Sequence, residues 1–171
     1  NEAHIRPPQQ WDALSLPIQQ FLSLIRSEDH GRREIIENNY LIETLLPTGV
    51  LHPLSAEDMQ QYRKPFPTAE SRQPLWQYVC DFPKGDGKPE DIVALIREYS
   101  NRLKESTFAK LMFYGVPGLF TTIEDVMWAK QHFPHLDVVD HGESLHLATE
   151  CSPLLFANEL VEWYERIPVT L

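Results

Sequence analysis

A chain of 171 residues with 42% hydrophobic and 23% charged content fits one packed domain, or a core with a small insert, rather than a disordered segment. Its formal net charge of -10 and its lack of a basic run argue against nucleic acid or an anionic membrane as partner. No apolar stretch nears the roughly 20 residues of a spanning helix, and two cysteines, Cys80 and Cys151, are too few for a disulfide framework, which suits a reducing, cytoplasmic compartment.

The chain opens Asn1-Glu2-Ala3-His4 without Met and runs into Ile5-Arg6-Pro7-Pro8, which reads as the interior of a longer protein, left by processing or truncation. Up to about residue 80 it holds most of its 14 prolines and reads as helices joined by turns, with no convincing strand. In "SLPIQQFLSLIRS", Ile18, Phe21, Leu22 and Ile25 recur at three- and four-residue spacing behind Pro17, which predicts an amphipathic helix. "GRREIIENNYLIETLL" repeats the pattern through Ile35, Ile36, Tyr40, Ile42 and Leu46 and predicts one helix stopped by Pro47 and Gly49. "SAEDMQQYRKPF" opens on Ser55, an N-cap candidate, with Asp58 three residues on.

Beyond residue 80 the pattern changes. "CDFPKGDGKPED" is a connector rich in Gly, Pro and Asp. "PEDIVALIREYSNRLKES" predicts a helix with Ile92, Val93, Leu95, Ile96, Tyr99 and Leu103 on one broad face. "AKLMFYGV" is a continuous apolar run ending at Pro117-Gly118 and predicts a strand buried on both faces. "TIEDVMWAKQHF" predicts a helix capped by Thr121 or Thr122. "LDVVD" predicts a second short strand, followed by a turn carrying Gly142, and "SPLLFANELVEWYERI" a last helix. Helices alternating with apolar strands predict an α/β domain with a parallel sheet. Two strands are too few for such a sheet to stand alone, so more are expected elsewhere.

Ligands of open α/β sheets bind beyond the carboxyl ends of the strands, and His146 follows the second strand in "DHGESLHLATECSP". A loop histidine is more often structural or solvated. In α/β hydrolases, however, the catalytic histidine stands in the last strand-to-helix loop, where His146 is. Such a histidine needs a carboxylate to fix its tautomer. The loop Val116-Pro117-Gly118-Leu119-Phe120 contains none, and Glu124 and Asp125 suit the first turn of the following helix. Asp140, Glu143, Glu150 and Glu2 remain as candidates. Ser144 is too close in sequence to His146 to form a strand-end nucleophile, and Trp128 and Trp163 read as packing.

The runs "EAHIRP", "GRREIIENNYLIETLLPTGVLHPLSAEDMQQYRKPF" and "SRQPLWQY", with "LMFYGVPGLFTT" and "DHGESLHLATECSP", resemble haloalkane dehalogenases over nearly the whole chain. The same scaffold is similar to coelenterazine luciferases of the Renilla type. The resemblance implies the C-terminal part of an α/β-hydrolase fold: residues 1–5 end a core strand and carry the acid, 6–80 form a helical cap, and 81–171 the last part of the core. It implies His146 as the base that activates water and Glu2 as its acid. It implies Phe21, Leu22, Ile25, Leu41, Leu45, Gly49, Leu119 and Phe120 as lining of an apolar substrate pocket. The usual His-x-x-Gln-Glu-Asp is here His146-Leu147-Ala148-Thr149-Glu150-Cys151, with only the Glu kept. The family's nucleophilic aspartate and its halide-binding Trp and Asn lie before the matched segment.

The implied partners are a small apolar halogenated substrate, water, halide and the complementary N-terminal half of the fold, with no metal or organic cofactor. The chain alone is expected to be inactive. Two other functions fit the same residues: a cofactor-free luciferase-like oxygenase, and a noncatalytic interaction module whose exposed sheet edge pairs with another chain.

Overall fold

The computed structural model describes residues 2, 4–6, 16–83 and 88–167. Trp11 and the middle of the Gly/Pro connector, 84–87, lie outside them. The described residues form two compact units. One takes in 16–48, 53–83 and 88–95, and the other 2, 4–6, 49–52 and 96–167.

The first unit is helical. It contains α1 (Leu16–Ile25), α2 (His30–Ile36), a π turn (Leu41–Leu45) that runs on into α3 (Leu46–Thr48), α4 (Ala56–Arg63), a 3-10 turn (Glu70–Arg72), α5 (Gln73–Asp81) and the start of α6 (Glu90–Glu105). The apolar faces read from the sequence meet α5 in one core: Ile25, Ile35 and Ile36 are buried with Trp76 and Val79 of α5, and Phe21, Tyr40 and Leu41 pack against them. Full burial of each such side chain contributes roughly 1.5–3 kcal/mol. Gly31 lets α1 and α2 approach, because a Cβ there would stand 2.1 Å from the carbonyl oxygen of Ile25. On α4, Ser55 and Asp58 form a complete capping box: Asp58 N–H donates to Ser55 Oγ at 3.1 Å, and Ser55 N–H donates to Asp58 Oδ2 at 3.3 Å.

The single helix expected over residues 31–46 is instead broken after Ile36. Asn39 is buried in the left-handed region at φ 54°, and an L residue there interrupts the helical hydrogen-bond ladder. Arg72 stabilises the break by donating from Nη1 to the carbonyls of Ile36 and Glu37, both at 3.0 Å. The helical run from Leu41 ends at Thr48, one residue after Pro47 and just before Gly49. Leu95 falls outside the buried face of α6, to which Val93 and Ile96 belong.

The second unit holds the rest of α6, β1 (Lys110–Pro117), α7 (Ile123–His132), β2 (Leu136–Ser144), α8 (Ala148–Cys151) and α9 (Pro153–Arg166). β1 and β2 pair in parallel, Lys110 opposite Leu136 through Tyr114 opposite Asp140, and then slip so that Val116 faces Glu143. The turn expected at Gly142 is thus an irregularity inside a longer β2, where Gly142 takes φ 74° and donates its N–H to Asp140 Oδ1 at 2.8 Å. Lys110 ties the loops below the sheet together, donating from Nζ to the carbonyls of Ser106, Phe108 and Pro134 at 2.8–2.9 Å.

β1 departs from the two-sided burial expected of it. Six of its eight residues are half-buried and two are exposed. Among the described residues it pairs only with β2, so its other edge and much of its faces line an open, largely apolar cleft of about 590 Å³. Leu111, Met112 and Phe113 from β1, Leu103 from α6 and Phe156 and Trp163 from α9 face this space. No described helix is long and apolar enough to cross a membrane.

Candidate active site

The site grows from the carboxyl ends of the two strands. At the end of β2, Ser144 is buried and packs over Gly115, where a Cβ would come within 1.7 Å of Ser144 Oγ. This close strand contact fixes where the chain leaves the sheet. Two residues on comes His146, whose loop is pinned by buried Leu147, with Leu147 N–H donating to the Gly49 carbonyl at 2.9 Å. At the end of β1, Gly118 N–H donates to the Ser144 carbonyl at 3.1 Å, so both loops start from one point.

His146 Nδ1 lies 2.8 Å from Glu2 Oε2, 144 positions apart in sequence. Both side chains are largely shielded, at 21% and 10% exposure. An ionised carboxylate can only accept, so Nδ1 carries the proton and Nε2 is the basic nitrogen. Phe120 meets the imidazole edge-on, with ring centroids 5.4 Å apart at 90°, and limits its rotation. Of the acids open from the sequence, Glu2 is the one that reaches His146. Asp140 is engaged by Gly142 N–H and by the Tyr114 hydroxyl, and Glu143 and Glu150 are exposed.

The loop after β1 lacks a carboxylate but receives one. Glu2 Oε1 accepts three consecutive backbone N–H groups, Leu119 at 2.7 Å and Phe120 and Thr121 at 2.9 Å. Burial raises the Glu2 pKa, while the bonds from His146 and these three N–H groups lower it. The balance falls below the ordinary 4.5. The segment carrying Glu2 is anchored twice more. The His4 carbonyl accepts from the Tyr99 hydroxyl, and Arg6 donates from Nε and Nη2 to Asp125 Oδ1, both at 2.7 Å. The other oxygen of Asp125 closes the capping box of α7 on Thr122, at 3.0 Å to N–H and 2.8 Å to Oγ1. One side chain therefore caps a helix and holds the acid-bearing segment.

Sequence reasoning missed both devices. Backbone donors have no letter of their own, and the sole trace of them is the Pro117-Gly118 turn itself. Asp125 suited its capping role, and nothing in "IRPP" pointed Arg6 at it. Trp128, read as packing, is flanked by cations, with Arg6 and Lys104 5.4 and 5.3 Å from its ring and His132 stacked at 4.4 Å.

The remaining sequence-derived positions divide by unit. Leu119 is exposed and Phe120 half-buried beside Glu2 and His146, and Gly49 is buried in the same unit. In the helical unit, Phe21, Ile25 and Leu41 pack in the core, Leu22 is buried and Leu45 is half-buried. No cluster of three or more His, Cys, Asp or Glu that could hold a metal occurs among the described residues.

The arrangement is chemically that of a general base. An imidazole with its Nδ1–H fixed on a carboxylate can take a proton at Nε2, and the carboxylate then stabilises the imidazolium.

No family model matches the chain. It is 34% identical to a haloalkane dehalogenase of Mesorhizobium japonicum over 95% of its own length and 53% of the relative's. It is 28% identical to a coelenterazine h 2-monooxygenase of Renilla reniformis, over 88% of its own length and 48% of that protein's. The crystal structure of a haloalkane dehalogenase from Bradyrhizobium elkani superposes with a TM-score of 0.87 at 28% identity, covering 94% of this chain and 55% of the other. The chain thus spans about half the length of the curated relatives it matches. It is a homologue of the haloalkane dehalogenases and has their α/β-hydrolase fold over the part it spans.

Proposed function

We propose that the chain supplies the acid–base half of a haloalkane dehalogenase-type hydrolase. The single observation that carries this reading is the Glu2–His146 contact at 2.8 Å. In the complete reaction an aspartate carboxylate, provided by the complementary N-terminal half of the fold, displaces halide from an alkyl halide and becomes an alkyl ester. Water then attacks the ester carbonyl as His146 Nε2 takes its proton. Glu2 holds the imidazolium, and the alcohol leaves as the aspartate is restored. The reaction so written uses no metal or organic cofactor. Residues 6–80 serve as the cap and 81–171 as the last part of the core, and their apolar positions suit a small halogenated substrate with few polar anchors. Cys80 and Cys151 are too few for a disulfide framework, which suits a cytoplasmic setting.

The test is halide release. The 171-residue chain alone should release none, and adding the N-terminal half should produce turnover. His146→Phe in that reconstituted protein should leave the ester to accumulate, visible as a covalent mass increment. Turnover by the chain alone, or undiminished turnover by His146→Phe, would sink the reading. The similarity to the Renilla monooxygenase favours a second reading, a cofactor-free oxygenase on the same scaffold. Light emission with coelenterazine would select it. The edge of β1 that has no strand partner among the described residues favours a third, a noncatalytic module that pairs with another chain. A stable complex without either activity would select that one.

A further inference from the structure

The turn from Gly118 to Thr121 brings no charged side chain to the site, yet it makes three of the four hydrogen bonds described for the Glu2 carboxylate. Successive N–H groups converging on one oxygen form an anion-binding concavity. Gly118 permits the convergence. It takes φ 65°, and a Cβ on it would stand 2.9 Å from Glu2 Oε1 and 3.3 Å from the carbonyl oxygens of Gly115 and Thr121. The turn is also held without help from Glu2. Its first residue donates to the Ser144 carbonyl at 3.1 Å, and the Thr122–Asp125 capping box closes its far end. The segment carrying Glu2 has its own anchors at Tyr99 and Asp125. Receptor and occupant therefore share Asp125, through its two different oxygens, but are otherwise held by different contacts.

We propose that the Gly118–Thr121 turn is a preformed receptor for a small carboxylate, that Glu2 is its tethered occupant, and that Gly118 is a positioning residue which aims the second carboxylate oxygen at His146 Nδ1. The importance of that aim for turnover rests on the acid–base reading above, whereas the receptor does not. Removing the tether should leave a site that free formate fills, because formate has the same two oxygens and is small enough to replace the head of the side chain.

The experiment is a titration of the Glu2→Ala chain with sodium formate, against sodium chloride at equal ionic strength, followed by amide and imidazole nitrogen NMR. Formate is expected to shift the Leu119, Phe120 and Thr121 amides saturably and to restore the Nδ1–H tautomer of His146. Adding Gly118→Ala should weaken formate binding at least tenfold. Unmoved amides in a variant whose spectrum otherwise matches the parent would overturn the proposal, as would equal shifts with chloride. If Glu2→Ala loses its dispersed spectrum, Gly118→Ala in the otherwise intact chain gives the second reading: the Glu2 carboxyl carbon should titrate closer to the ordinary 4.5. An unchanged midpoint overturns the proposal. These readouts are independent of halide release, so formate binding in a reconstituted protein without dehalogenation would sink the reaction and leave the receptor standing.

Discussion

In the helical unit, α2 sends Ile35 into the core at 0% exposure, and α5 sends Trp76 in at 9%. In the strand-bearing unit, β1 buries none of its eight residues, and α9 leaves Leu154 at 78% and Tyr164 at 71%. The helical unit satisfies its periodicity with its own helices, so apolar side chains find partners a few tens of residues away. Among the described residues, the strand-bearing unit pairs Glu2 with His146 and with the Leu119–Thr121 N–H groups at the strand ends, although the ring nitrogens of buried His141 in β2 have no hydrogen-bond partner, and it leaves apolar surface along β1 without a neighbour. One polar cluster can thus be complete where apolar packing is not, because the Glu2 cluster needs a few donors and a parallel sheet needs further strands.

Core truncation should separate the units most. Ile35→Ala removes a fully buried side chain from a closed core and should cost about 2–5 kcal/mol by denaturant unfolding. Met112→Ala on half-buried β1 should cost clearly less, and equal costs would break the contrast. Next in size is the polar cluster. Glu2→Ala removes four charge-assisted hydrogen bonds and should cost on the order of 1–3 kcal/mol near neutral pH. Because the folded Glu2 pKa lies below its ordinary 4.5, its contribution is present above about that pH and is lost as pH falls through the lower folded value. The gap between wild type and Glu2→Ala should therefore start to narrow once the pH falls below 4.5, and a gap that stays constant on further acidification would contradict the lowered carboxylate.

How far the sequence could be read follows the same division. The face of α1 and the capping letters Ser55-Asp58 are local, and spacing alone exposes them, whereas for α7 it leaves the cap open between Thr121 and Thr122. The break at Asn39 was not legible, since it depends on a positive φ and on Arg72 reaching 35 and 36 positions back. The half-burial of β1 was hidden because an apolar run records the neighbours a strand is suited to, not those it has. His146 was legible as a candidate from its place after a strand. Its pairing with Glu2 spans 144 positions and came from family resemblance, not from any local pattern. The donors from Leu119 to Thr121 were invisible for a different reason: any residue but proline carries the same N–H.

The finest comparison is between the two capping boxes. Ser55 and Thr122 each accept the N–H of an aspartate three residues on, and each aspartate accepts the cap's own N–H. Ser55→Ala and Thr122→Ala should each cost about 1 kcal/mol. The aspartates differ, because Asp58 serves only its box in these contacts, whereas Asp125 also holds Arg6 with its other oxygen. Asp125→Ala should therefore exceed Asp58→Ala by the worth of a partly buried charged pair, and a double-mutant cycle with Arg6→Ala isolates that difference. The cycle also has a local readout. Loss of the Arg6 anchor should loosen the segment that carries Glu2, so amide exchange of Leu119 to Thr121 should rise in Asp125→Ala and stay unchanged in Asp58→Ala. Equal exchange in both would mean that the backbone N–H groups alone hold Glu2, and that the Arg6 contact only decorates the end of α7.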